Sequence, residues 1–64
     1  MATQYHIVRP GETLESIAKG YYGDEDLGDY IFKHNTAYIL DPNHLQLGQS
    51  IVIPHIPYLR WNNG

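Results

Sequence analysis

The sequence predicts an α+β fold of strand, helix, helix, strand order, a two-stranded antiparallel sheet with both helices packed on one of its faces. Three observations predict it. Short β-branched and aromatic runs, YHIV at 5–8 and SIVIP at 50–54, are the outermost patterned segments. Between them Leu14, Ile17, Ala18 and Tyr21 recur at offsets 0, 3, 4 and 7, the signature of one buried helical stripe. A second stripe, Leu27 and Ile31 with Tyr30 and His34 beside it, follows a run of acids.

Taken in order, the first strand stops at Arg9-Pro10-Gly11, a turn sequence. Thr13 is placed to cap the first helix by accepting from a first-turn N–H, and Gly20 and Gly23 are placed to close it. Asp24, Glu25 and Asp26 then stand where the positive end of a second helix favours carboxylates. Asn35 ends that helix. A loop punctuated by Asp41-Pro42-Asn43 and Gly48 leads to the second strand, which Pro54 terminates by withholding a donor. Antiparallel closure puts His6 and Val8 in phase with Ile51 and Ile53 on the inner face. The opposite alternation sends Tyr5, Ile7 and Val52 outward, an apolar face that needs a cover.

The bulk properties narrow the functions. At 64 residues the chain holds one small domain with a thin stability margin, and without cysteine it has neither a disulfide staple nor a thiolate metal site. Seven acids against four bases give a net charge of −3, the wrong sign for tracking phosphates, so nucleic acid is not an expected partner. No apolar run is long enough to span a bilayer, and MATQYHIV lacks the features of a secretion signal. The domain is expected over residues 5–54. Residues 55–64 form a tail whose Ile56, Tyr58, Leu59 and Trp61 are too apolar for a plain linker.

Reactive chemistry is hard to find. Glu12 and Glu15 are three apart at a helix start, where the helix dipole already accounts for acids, so a glycosidase pair is not expected. Asp24, Glu25, Asp26 and Asp29 lack the alternating spacing and fixed glycine of a calcium loop, and the histidines at 6, 34, 44 and 55 share no ligand spacing. No enzyme, metal or cofactor is expected.

The segments VRPGETLESIAKGYYGD, IFKHN and LDPNHLQLGQSIVIP, in this order and spacing, resemble the LysM family over residues 6–54. The family's Gly-Asp/Glu-Thr-Leu entry falls on Gly11, Glu12, Thr13 and Leu14, its Ile-Ala pair on Ile17 and Ala18, and its helix-ending Asn on Asn35. Its closing Gly-Gln-x-Leu-x-Ile-Pro falls on Gly48, Gln49, Ile51, Ile53 and Pro54. The resemblance implies a βααβ module that binds N-acetylglucosamine glycans in a shallow groove. By position, that groove would use Gly11, Glu12, Thr13 and Leu14 on one side and Ile39, Leu40, Asp41 and Pro42 on the other. The bland reading leaves Gly11 to the turn, Thr13 to the cap and Asp41-Pro42 to loop geometry.

The YYGD segment looks like small stand-alone relatives in phage tails, baseplates and contractile injection machines. That resemblance implies a structural adaptor of such a particle, assembled in the cytoplasm, with glycan binding retained or vestigial. Its partner surface would combine Tyr5, Ile7, Val52, Ile56, Tyr58, Leu59 and Trp61. The alternative is a free-standing peptidoglycan- or chitin-binding module. Two departures from the tail-associated pattern stand out: Gly28 where a bulky aromatic is common, and His34 where alanine is usual. Leu27, His34 or Trp61 is expected to fill the volume vacated at Gly28.

Overall fold

A computed structural model describes residues 4–57 of the chain. Strand β1 (Gln4–Ile7) pairs antiparallel with β2 (Ser50–Ile53), with Tyr5 opposite Val52 and His6 opposite Ile51. Helix α1 (Leu14–Tyr22) and helix α2 (Gly28–Lys33) lie between them in sequence, α2 being preceded by a 3-10 turn at Glu25–Leu27. The predicted βααβ architecture is therefore the observed one.

The local chemistry explains each boundary. Thr13 Oγ1 accepts from the Ser16 N–H at 3.1 Å while Ser16 Oγ accepts from the Thr13 N–H at 2.9 Å, a reciprocal cap that satisfies two backbone donors. Helix α1 runs through Gly20 and stops at Gly23, whose left-handed φ of 77° lets its N–H reach back to the Lys19 carbonyl. The acids after α1 cap a 3-10 turn rather than α2 itself: Asp24 Oδ1 accepts from the Asp26 N–H.

Val8, Leu14, Ile17, Ala18, Tyr22, Ile31, Ile39, Ile51, Ile53 and Ile56 make one continuous core. Two expectations change here. Tyr22, not Tyr21, completes the buried stripe of α1, and its hydroxyl donates to the Pro54 carbonyl. Burial, with a contribution from nearby Tyr30, pushes that phenol up to about 12. Ile56, expected on the outer face of the sheet, is buried in the core, because the chain turns inward after Pro54. Tyr58, Leu59 and Trp61 lie outside the described residues.

Gly28 is explained by the backbone of α1. A Cβ built there would sit 3.0 Å from the Leu14 carbonyl carbon and 3.1 Å from both Leu14 O and Glu15 N. No volume is vacated at this position. The helices approach closely enough that only hydrogen fits, and main chain cannot rotate aside as a side chain would. His34 is exposed, donates from Nδ1 to the Tyr30 carbonyl at 3.0 Å and lies against the Tyr30 ring.

Asn35 fastens the fold. It is buried; its Nδ2 donates to the carbonyls of Ile31 (2.7 Å) and Val52 (2.9 Å), and its Oδ1 accepts from the Val52 N–H at 2.8 Å. The amide thus binds both backbone groups of Val52 as a neighbouring strand would. It stands in for a third strand for the length of one residue.

Candidate functional site

The turn leaving β1 and the loop entering β2 meet beside the start of α1. In the turn, the Glu12 N–H donates to the Arg9 carbonyl at 3.2 Å, with Pro10 and Gly11 at the centre and Gly11 at φ 81°. Proline followed by a left-handed glycine is what a type II turn requires. The space where a Gly11 side chain would stand is open, so a ligand can approach main chain there.

Glu12 lies ahead of the helix cap, not on the helix. Its Oε1 accepts from the Arg9 N–H at 2.8 Å and from His6 Nε2 at 2.8 Å. A carboxylate only accepts, so Nε2 carries the proton and His6 Nδ1 is left facing the Tyr21 hydroxyl at 2.9 Å. Partial burial pushes the Glu12 carboxyl up, but the His6 and Arg9 hydrogen bonds and charges outweigh it and hold the group below its usual range. A glycosidase acid needs the opposite shift, so Glu12 is poorly suited to protonate a leaving group.

Between these segments lies a crevice of about 80 Å³, lined by Glu12, Thr13 and Glu15 on one side and Pro42, Asn43 and Leu45 on the other. A larger hollow of about 250 Å³, lined by Tyr38, Ile39, Leu40, Asp41, His44, Gln46 and Gln49, opens next to it along the loop. Residues 41–44 form a turn shared by both, with the His44 N–H donating to the Asp41 carbonyl and the Asn43 N–H to Asp41 Oδ1.

The residues picked from sequence are accordingly divided. Glu12, Thr13 and Pro42 come together at the crevice, whereas Leu40 and Asp41 face the neighbouring hollow. Leu14 and Ile39 are core residues, and only Ile39 reaches either concavity. Sequence reading passed over Glu15, Asn43 and Leu45 as site residues. Glu15 had a signal, standing in the first turn of α1 just after the Thr13 cap, next to the loop segment that the resemblance assigns to the groove.

On the outer face of the sheet, Tyr5 is 65% exposed, Ile7 is 54% exposed and Val52 is half-buried, as the strand alternation predicts. With crevice, capped helix and sheet in place, the comparison with known families is decisive: the LysM domain model matches residues 6–54.

The chain belongs to the LysM family. LysM modules generally bind peptidoglycan or chitin and are typically non-catalytic. Over 53 residues, 83% of this chain, the sequence is 36% identical to the potassium binding protein Kbp of Escherichia coli O6:H1. The chain spans about a third of that relative's length, the match covering 36% of it. Within the LysM frame, Glu12 ties the Gly11 turn to β1 through His6, and Asn35, at the start of the second loop, is tied to β2 through Val52.

Proposed function

We propose that this LysM module is a non-catalytic binder of N-acetylglucosamine-containing glycan, with peptidoglycan ahead of chitin, and that the glycan lies in the crevice between the Gly11 turn and the Pro42-Asn43 turn. The observation that carries the reading is the crevice itself, where the polar Thr13 faces the polar Asn43 and the apolar Leu45, next to the turn whose Gly11 backbone is open. An N-acetyl group offers one donor, one acceptor and a methyl, which Thr13, Asn43 and Leu45 can meet, with the Glu12 and Glu15 carboxylates on the Thr13 wall as further acceptors. A site this shallow binds weakly, so the function calls for several modules on one surface, where avidity adds a factor on the order of 10² to 10⁴.

The test is an amide-resolved NMR titration with N-acetylglucosamine oligomers, alongside sedimentation with peptidoglycan sacculi. Amides at Gly11–Thr13 and Asn43–Leu45 are expected to move. Asn43→Trp, at an exposed position, should fill the crevice and abolish both signals without lowering the melting temperature. Unmoved crevice amides at the highest soluble sugar concentration, with no co-sedimentation, would sink the reading. Leu14→Ala is unsuited to this purpose because Leu14 is core, and its loss reports on folding.

A second reading is favoured by the exposed Tyr5 and Ile7: an adaptor docked by its outer sheet face to other subunits of a phage tail, baseplate or injection particle assembled in the cytoplasm. It predicts that the chain is recovered in purified particles and that Ile7→Glu releases it. Neither the family match nor the relative speaks to a particle. Potassium binding by the relative is not extended to this chain, since the shared stretch is about a third of that protein.

A further inference from the structure

We propose that the free edge of β1 is a docking site for a second copy of this chain, which joins antiparallel through its own β1 to make a four-stranded sheet. Main-chain geometry carries this, independently of the glycan crevice. Val8 turns its main chain toward the second strand, donating to the Gln49 carbonyl and accepting from the Gly48 N–H, both at 2.9 Å. By two-residue alternation His6 and Gln4 do the same, so Tyr5 and Ile7 direct their N–H and C=O groups to the opposite side. Val52 fixes the phase independently: it stands opposite Tyr5, and both of its main-chain groups go to Asn35 on the far side of β2.

The two edges of the sheet therefore differ. The β2 edge is occupied at Val52 by Asn35, whereas among the described residues nothing bonds the outward main chain of Tyr5 and Ile7. Nor does β1 carry the devices that usually blunt an edge: it has no Lys, no Pro and no bulge in its register with β2.

The occupant is a second copy because the edge complements itself. Two copies aligned antiparallel about His6 set Tyr5 of each opposite Ile7 of the other, and each such pair exchanges both its N–H···O bonds. A register shifted by two residues leaves half of these groups unmatched within β1. In the matched register the exposed Tyr5 and Ile7 side chains also meet on the outer face, an aromatic with a β-branched chain. No carboxylate lies on β1, so the net charge of −3 is not concentrated at the contact. The assembly closes at two, since each outer edge of the joined sheet is a β2 already held by Asn35. A strand of four residues buries less than a standard interface, so the dimer is weak and reversible.

The test is sedimentation of the full chain over a concentration series, with amide hydrogen exchange read by NMR on the same samples. Mass is expected to rise from 7.4 kDa toward twice that value, while the Tyr5 and Ile7 amides slow with concentration and the Val52 amide, already bonded to Asn35, does not change. Tyr5→Pro removes only an outward donor, which an edge strand tolerates, and should weaken association on the order of tenfold or more with unchanged melting temperature. A mass that stays at 7.4 kDa up to about 1 mM overturns the proposal. So does association that leaves the Tyr5 and Ile7 amides unaltered or survives Tyr5→Pro. Protection of those two amides at every dilution also overturns it, because the edge is then covered by the chain's own residues. None of these outcomes touches the glycan response at Gly11–Thr13.

Discussion

Asn35 and Glu12 do the same work in opposite surroundings, each tying a loop to one strand of the sheet with a single side chain. Asn35 is buried and neutral and holds β2 through the Val52 N–H and C=O. Glu12 is partly exposed and charged and holds β1 through His6, closing its own turn through the Arg9 N–H. The difference teaches where the domain's rigidity comes from. A buried amide whose partners are backbone groups has no substitute when it is lost, whereas water can replace part of a solvent-facing carboxylate contact.

The largest effect should come from Asn35→Ala. It leaves the Val52 N–H and C=O without their partner and the Ile31 carbonyl with the His34 N–H alone, and a loss of about 3 kcal/mol is expected in chemical denaturation. The loss should not change between about pH 7 and the carboxylate range, since no titrating group is removed. A pH-dependent loss would break the contrast with Glu12.

Next comes Gly28→Ala, a steric counterpart to the polar clamp. Helix propensity alone would favour alanine by about 1 kcal/mol, but the Cβ meets main chain of α1 at 3.0 Å. A net loss of about 1 to 3 kcal/mol is expected. A stabilised variant would mean that the two helices can separate without cost.

Tyr22→Phe removes the bond to Pro54 and should cost about 1 kcal/mol near neutrality. It also removes a group whose folded value stands above its ordinary 10.0. Stability from this phenol is complete below about pH 10 and is lost as pH rises toward about 12. Alkaline denaturation should therefore be shallower in the variant.

Glu12→Gln should cost less, under about 1 kcal/mol at neutral pH, because the amide oxygen still accepts from Arg9 and His6. Its signature is the acid limb. The folded carboxyl is held below its unfolded value of 4.5, so its stabilisation is present above that value and disappears as pH falls through the lowered one. Melting curves across that window should flatten in the variant, and an unaltered acid limb would leave Glu12 without the anchoring role. The smallest effect belongs to Asp29→Asn. The Asp29–Lys33 pair is more than two-thirds exposed on both sides, and a change within about 0.5 kcal/mol is expected.

The fold was legible because its signals are local. Alternation in YHIV and SIVIP, the Thr13 cap and the helical stripe each act within a few residues, and all agree on one topology. The candidate site was legible only in outline. Position along the chain brought Glu12, Thr13 and Pro42 to one crevice, but it did not reveal that the turn at 41–44 parts them from Leu40 and Asp41. Glu12 looked like a helix-start acid. Its partner His6 is six residues away and on another element, a contact that no periodicity encodes.

By itself, then, the sequence determined the order of elements, the inward and outward faces of the sheet and the membership of the LysM family. Tertiary structure alone decided which tyrosine is buried, why residue 28 is glycine, that Ile56 is core and that Asn35 completes the edge of β2. The physical reason is range. Propensity, capping and alternation are set by neighbours along the chain, while burial and close approach depend on atoms that only folding brings together.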